Sequence, residues 1–365
     1  MDQLVPEAAG KWTVAAGIHN SSVLDRTGVK CLSHSLATEG RNKVVADGHA
    51  EVLCRRAFIR FLLHQMILAF KNEKSIFTRT PPGSQYPLVL SVPTTTFHMY
   101  ISQSPCGDAS MTSLDETQTE DERSQNESKR RKFLDGSSLM HSRKQTKRIG
   151  RRGRNDYSLL GVLRTKPGRS DSEMSCSMSC SDKIAKWGVV GISGALISLF
   201  VKEPVYLDSV SVGDLFEKEG LNRALVKRIE GSKVDFPYSK SFLESKHTDK
   251  PSPTTSDVCL GWTKGVPHNP LEVLSSNGRK QGHAKRKGEW HEKSESELCN
   301  NRLRLLFLEL IDAARAADAL PACLKDVNLV NATYQEIKLH AKEYNDAKKA
   351  LLDNETFRGW VVKET

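Results

Sequence analysis

Apolar residues between 49 and 70 recur with helical period. Val52, Leu53, Ile59, Leu62, Leu63, Met66 and Ile67 form one broad stripe, which predicts a helix over 49–70. The run 97–102 reads as a strand leading directly into Ser104-Pro105-Cys106-Gly107-Asp108, which places Cys106 at a strand-to-helix turn, where α/β sheets gather ligands. Further on, the pattern predicts a helix over 184–200, a strand over 205–212, and closing helices over 303–316 and 334–352. The weakly polar run 187–201 is too short to span a membrane and reads as part of a buried helix.

Between 113 and 157 the pattern dissolves. Acidic and amide residues come first, then Lys129-Arg130-Arg131-Lys132 and a basic run over 143–154, as in a disordered insert. Residues 239–255 and 278–296 read as flexible loops, while Leu260-Gly261-Trp262 between them reads as ordered. The only repeat is the doublet Met174-Ser175-Cys176-Ser177 and Met178-Ser179-Cys180-Ser181. The whole chain, 1–365, is therefore read as one domain carrying an insert and two loops.

Composition adds modest constraints. A hydrophobic content of 38% over 365 residues supports a substantial core. A net charge of +10 and a pI of about 9.1 fit a polyanionic partner, although charge alone identifies none. The 8 cysteines are scattered without a repeated spacing, which favours a reducing compartment over a disulfide framework. The first residues have neither the basic nor the apolar segment of a secretory signal, and nothing marks a membrane span or a protein partner.

The chemistry concentrates at His49-Ala50-Glu51. An imidazole and a carboxylate two residues apart at a helix start, paired with Pro105-Cys106, read as half of a zinc-deaminase site. That class holds zinc with one His and two Cys, or with three Cys, and uses the Glu as a proton shuttle. The usual second cysteine would stand three residues after Cys106, but Ala109 occupies that position. The third ligand must come from elsewhere, and the doublet offers Cys176 and Cys180.

His49-Ala50-Glu51, Ser104-Pro105-Cys106-Gly107-Asp108-Ala109 and Ser179-Cys180-Ser181-Asp182-Lys183-Ile184-Ala185-Lys186-Trp187 together resemble the adenosine deaminases acting on RNA. No double-stranded-RNA-binding repeat is visible, so the chain is more similar to the tRNA-specific members than to the mRNA-editing ones. The resemblance implies an α/β fold: a cytidine-deaminase-like mixed sheet with helices on both faces, enlarged by a C-terminal helical portion enclosing a polyanion. It implies zinc on His49, Cys106 and Cys180, with Cys180 preferred to Cys176 because the family's cysteine is followed at once by Ser-Asp-Lys. Glu51 would carry the proton as adenosine becomes inosine in tRNA, at the adenosine 3′ of the anticodon of alanine tRNA.

The last helix carries its own oddity. At about 100° per residue, Tyr334, Lys338, Tyr344 and Lys348 share roughly a third of the circumference with Ile337, Ala341 and Leu352. Unpaired lysines are costly on a buried face, so an anion is expected there unless the ammonium groups reach water. The resemblance implies that anion is inositol hexakisphosphate, bound by Arg55, Arg56, Lys183, Lys186, Tyr334, Lys338, Tyr344, Lys348, Trp360 and Lys363. Asp47 and Lys166 would form a hydrogen-bond relay between the metal and the polyanion.

Departures from the family give further expectations. The strand over 11–16 runs almost directly into Thr27-Gly28-Val29-Lys30-Cys31, which predicts that one sheet strand is shortened or lost behind a truncated N-terminus. Ala46, Gly188 and Ala195 replace an Asn, an Asn and a Ser, and Asn300 or Asn301 stands in for a basic residue. A lost strand would favour a rival reading, a catalytically silent RNA-binding or scaffolding variant. Deamination of free cytidine is disfavoured by Ala109. The basic insert could grip RNA phosphates or direct nuclear import, and nuclear residence is favoured over the cytoplasm.

Overall fold

The computed structural model describes residues 15–19, 23–91, 95–116, 119–121, 123–124, 127–128, 151–152, 157–166, 173, 175–232, 244–247, 258–267 and 270–361. Most of the basic insert, most of 239–255, and Lys363 lie outside them. At the centre is a seven-stranded mixed sheet. Its strands are β1 (Ala15–His19), β2 (Val23–Thr27), β3 (His98–Gln103), β4 (Ser209–Asp214), β5 (Glu244–His247), β6 (Cys259–Thr263) and β7 (Leu271–Leu274). The spatial order is β5-β4-β3-β1-β2-β6-β7. Pairing is parallel on the β3–β4–β5 side and antiparallel from β3 through β1 and β2 to β7.

Of the expectation that one N-terminal strand is shortened or lost, the loss is overturned. Both β1 and β2 lie inside the sheet, with Ala16 opposite Ile101, Ile18 opposite Met99, and β2 flanked by β1 and β6. Strand β2 carries Asp25 and Arg26 and shows no clean alternation. Its two neighbours, not its own pattern, make it a strand.

The first long helix, α1 (Ala50–Phe70), begins just after His49, whose backbone is extended. Burial runs nearly all the way round it, beyond the predicted stripe, and includes Arg60 and Gln65. It packs against β1 and β2 on one side and against α4 (Asn300–Ala316) on the other. Aromatic edges fasten these layers: Phe58 meets Phe97 with ring centres 4.9 Å apart, and Phe200 meets Phe70 and Phe307 at 6.0 Å each.

Two predicted helices are each divided in two. The run 184–200 is α2 (Cys180–Val190) followed by α3 (Ala195–Ser198), with Gly191 and Gly194 at φ of 77° and 78° between them. Only glycine takes that conformation readily, and a Cβ on Gly194 would lie 2.6 Å from Arg55 Nη2. The run 334–352 is α5 (Tyr334–Leu339) and α6 (Lys342–Asp353). At that break Asn345 Nδ2 donates to the Lys338 carbonyl at 2.8 Å, satisfying a group that a continuous helix would have bonded along its own axis. The irregular stretch 278–296 is tied to the body by the Arg279 guanidinium, which stacks on Trp290 at 4.8 Å and donates to Ser294 Oγ at 3.0 Å.

A buried ionic clamp joins the segments that carry the two cysteines. Arg228 reaches Asp182, in the first turn of α2, and also Asp108 Oδ2 at 3.0 Å, just beyond Cys106. Asp182 also accepts from Arg164 N–H at 2.8 Å and Ser179 Oγ at 2.7 Å, while Asp108 accepts from Gly161 N–H at 2.7 Å and Arg223 Nε at 3.2 Å. Removing one partner of such a network leaves charge buried without compensation. Arg228→Met is therefore expected to cost about 3–5 kcal/mol. Chemical denaturation of the purified variant measures this, and a cost under about 1 kcal/mol would show that the clamp does not hold the fold.

Candidate active site

His49 closes the short strand Asp47–His49, and Glu51 follows in the first turn of α1. Asp47 organises this corner. Its Oδ1 lies 2.9 Å from His49 Nδ1, and its carboxylate accepts from Lys166 Nζ at 3.2 and 3.0 Å, from Ser177 Oγ at 2.6 Å and from Lys183 Nζ. With Nδ1 engaged by a carboxylate, the hydrogen bond with Cys106 falls to Nε2. Burial opposes the Asp47 charge, but Lys166, Lys183 and His49 outweigh it and hold the carboxyl well below its ordinary 3.8. Burial and Lys166 likewise oppose a charged His49, yet Asp47 and a hydrogen bond with Cys106 lift its pKa to about 9.

Cys106 sits past the end of β3, at the turn expected for it, and Cys180 opens α2. The two meet directly: the Cys180 backbone N–H donates to Cys106 Sγ at 3.3 Å, and Ser181 N–H donates to the Cys106 carbonyl at 3.0 Å. Gly107 makes this approach possible, because with its φ of 107° a Cβ would lie 2.2 Å from Ser179 Oγ. The hydrogen bond with Cys180 pulls the Cys106 thiol well below its ordinary range against the effect of burial. Burial, then Cys106, pushes Cys180 the other way. Lys166 Nζ donates to Cys180 Sγ at 3.0 Å, so one buried ammonium faces both the sulfur and Asp47. Cys176 lies apart from this group, half-buried at 3.1 Å from His34 Nδ1.

Glu51 completes the cluster. It is buried, with 2% exposure, and its Oε2 has no hydrogen-bond partner. Burial and the neighbouring Cys106 raise its pKa. An orphaned buried oxygen beside an imidazole and two thiols is the mark of a group awaiting a ligand. Among the described residues no three His, Cys, Asp or Glu side chains already surround a common centre as metal ligands would. The donor types nevertheless fit zinc: one imidazole nitrogen and two thiols on separate segments, with an acid beside them that stays outside the set.

A second cluster lies one turn along α1. Arg55 Nε donates to the Ile192 carbonyl at 2.9 Å, and its guanidinium stacks on Trp187 at 5.3 Å. The buried rings of Tyr334 and Tyr344 stand close to it. Lys186 Nζ lies 4.6 Å over Trp360, and Lys338 Nζ lies 5.3 Å over Tyr334. Burial, followed by Arg55, Lys348, Lys338 and Lys183, holds the Lys186 pKa well below its ordinary 10.5. The charged groups acting most strongly on Lys186 are thus all cations. The structure gathers these residues although 334–352 is not one helix, because the turn between α5 and α6 lets both helices face Lys186 and Arg55. Arg56 stands at the edge, committed to the Leu298 carbonyl and to Asn300 Oδ1 at 2.8 Å, and Lys183 is committed to Asp47 and Ser177. No helix among the described residues is long and apolar enough to cross a membrane.

The residues that sequence reasoning missed are Asp108, Asp182 and Arg228, which align the cysteine segments. Asp108 and Asp182 were each visible two residues past a candidate cysteine. Nothing local marked Arg228 as their shared partner.

Comparison with known proteins identifies the family. The adenosine-deaminase (editase) domain model matches residues 26–364. A tRNA-specific adenosine deaminase 1 from Drosophila melanogaster is 32% identical, across 97% of this chain and 89% of that protein. The mouse (Mus musculus) protein of the same name is 28% identical, across 92% of this chain and 85% of its own length. A double-stranded RNA-specific editase, Adar, from Drosophila melanogaster is 35% identical across 58% of this chain and 29% of that protein. With the match running through every segment that builds the His49, Cys106 and Cys180 cluster, the chain belongs to the adenosine-deaminase (editase) domain family.

Proposed function

We propose that this protein hydrolyses adenosine to inosine in tRNA, at the adenosine 3′ of the anticodon of alanine tRNA, with zinc held by His49, Cys106 and Cys180. The observation carrying this reading is Glu51 Oε2, buried without a partner beside Cys106, which itself touches both His49 and Cys180. Full-length tRNA-specific relatives support the substrate. When bound, zinc supplies the Lewis acidity that makes water deprotonation accessible near neutral pH. The chain's own groups do the rest. Glu51 takes one proton from the attacking water and delivers it to adenine N1 as the water oxygen bonds to C6; it then carries the proton of the new C6 hydroxyl to the amine, so that C6=O forms, the C6–N bond breaks and ammonia leaves. Its raised pKa lets it hold that proton between the two transfers. Asp47 fixes the His49 tautomer, and Lys166 balances charge on Cys180.

The fold is read as the cytidine-deaminase-like arrangement, with inositol hexakisphosphate enclosed by Arg55, Lys186, Tyr334, Lys338, Tyr344, Lys348 and Trp360, and Lys363 added by family resemblance. Four cationic side chains around Lys186 with no acid among its strongest neighbours support a polyanion there. The basic insert supports nuclear residence. The presence of β1 and β2 in the sheet favours the active reading over the silent one.

Incubation with alanine tRNA followed by inosine detection tests the reaction. Glu51→Gln is expected to lower the rate by at least about 10²–10⁴-fold while zinc content stays unchanged, since the acid is a proton carrier and not a ligand. Wild-type protein that produces no inosine would overturn the proposal.

Elemental analysis separates the two cysteines. Cys180→Ala is expected to lose zinc and Cys176→Ala to keep it. The reverse result would move the ligand to the half-buried position beside His34.

The polyanion is checked by phosphate release on denaturation, with about one inositol phosphate per chain expected. A pH series gives a second measure. A lysine whose pKa is depressed in the folded state binds fewer protons folded than unfolded, so protein stripped of polyanion is expected to gain stability as pH rises towards 10.5. Polyanion-filled protein should lose that upward slope, because the anion restores the charged form.

A further inference from the structure

The stretch 279–293 contributes no residue to the candidate active site or to the Lys186 cluster. It is rooted beside the candidate active site: Val45 N–H donates to the Gly278 carbonyl at 2.9 Å, and Val45 lies just before the strand Asp47–His49. Lys280 N–H donates to the Ser294 carbonyl at 2.9 Å and Gln281 N–H to the Val273 carbonyl at 2.8 Å, so both arms of the loop are fastened to β7 and to each other. At the tip, Arg286 and Glu289 exchange backbone hydrogen bonds of 2.8 and 3.0 Å around Lys287 and Gly288. Those two residues have φ of 50° and 83°, the form of a tight hairpin turn in which both central residues are left-handed. Asn-Gly or Gly-Gly is the usual choice for such a turn, and this chain places a lysine there instead.

Charge on the hairpin is lopsided. Arg279, Lys280, Lys285, Arg286, Lys287 and Lys293 face only Glu289 and Glu292. Three of the cations are spent internally: Arg279 stacks on Trp290 at 4.8 Å, Lys280 pairs with Glu297 at 2.9 Å, and Lys285 pairs with Glu39 at 2.7 Å. The Lys285 pair sets the tip against the helix His34–Glu39. Arg286, Lys287 and Lys293 are exposed and have no carboxylate partner among the described residues. Three pre-placed cations on a fastened hairpin, rooted next to the catalytic strand, suit the regularly spaced phosphates of a folded RNA better than the irregular surface of an acidic protein.

We infer that the hairpin 279–293 is a phosphate-gripping arm that holds folded RNA against the active site through Arg286, Lys287 and Lys293. This rests on the reading of tRNA as substrate. The contacts are to the backbone, so they position the RNA and contribute affinity without reading its bases.

The test uses full-length protein and labelled alanine tRNA, with dissociation constants measured across about 50–200 mM salt. The variant combines Arg286→Gln, Lys287→Asn and Lys293→Gln. Asparagine tolerates the left-handed turn, and the Lys285–Glu39 pair is left intact. A matched control neutralises Lys71, Lys74 and Lys325, which are exposed elsewhere on the surface. Binding by the hairpin variant is expected to weaken about tenfold, and its log–log salt dependence to flatten by about 2–3, near 0.9 for each phosphate no longer neutralised. Its single-turnover rate at saturating tRNA should equal that of the wild type. An unchanged salt dependence, or an equal weakening in the control, would overturn the inference. Inosine formation is scored separately: a protein that makes no inosine yet shows the hairpin-specific weakening retires the deamination reading and keeps the arm.

Discussion

Arg228 is the constraint on which the site depends. The two sulfur-bearing segments are far apart in sequence, and neither has a reason of its own to approach the other. Each instead carries a buried aspartate, Asp108 or Asp182, whose charge must be compensated away from water, and one guanidinium reaches both. A planar guanidinium with five donors can meet two carboxylates at once in fixed geometry, which a lysine cannot. The contact of Cys180 N–H with Cys106 Sγ is then a consequence of the clamp. Burial still pushes Asp182 above its ordinary pKa in spite of Arg228, so the site is held together by groups working against their own desolvation.

The opposite imbalance rules the neighbouring cluster. Around Asp47 one carboxylate serves Lys166, Lys183 and His49, whereas the charged groups acting most strongly on Lys186 are all cations. Aromatic faces soften this repulsion, with Trp187 under Arg55, Trp360 under Lys186 and Tyr334 under Lys338. Each such contact contributes about 0.5–2 kcal/mol, less than the cost of several charges gathered out of water. The helices α5 and α6 close over that charge with apolar anchors, among them Ile337 and Leu351. A polyanion in this position would be part of the folding free energy and not an ornament added afterwards.

What could be read from the sequence follows from how local each signal is. His49, Glu51 and Cys106 were legible because their chemistry lies within a few residues and at element boundaries, which hydrophobic period locates well. The third sulfur was legible as Cys180 only through the Ser-Asp-Lys that follows it, since Cys176 and Cys180 otherwise stand in near-identical surroundings along the chain. Only in three dimensions does Cys176 turn to His34 while Cys180 turns to Cys106. The breaks at Gly191, Gly194 and Ala341 were missed because helical period continues across them, and what interrupts the helices is distant: Arg55 needing the space at Gly194, and Asn345 capping Lys338. Strand β2 was missed for the converse reason, being made by β1 and β6 on either side.

Lys183 joins the two clusters. It lies one turn into α2 from Cys180 and donates to Asp47 and to Ser177, which itself donates to Asp47. Asp47 in turn orients His49. A polyanion that drew Lys183 towards the Lys186 cluster would weaken its hold on Asp47 and leave Lys166 as the main counter-charge. The Asp47 carboxylate would then accept more strongly from His49 Nδ1, making Nε2 a better donor to a metal. On the Asp47 side the links are hydrogen bonds of 2.6–3.2 Å, and towards Lys186 the link is the repulsion between two cations, so electrostatic coupling of this kind needs no moving domain. Through Lys183 the cationic cluster around Lys186 and the carboxylate of Asp47 therefore act on one another.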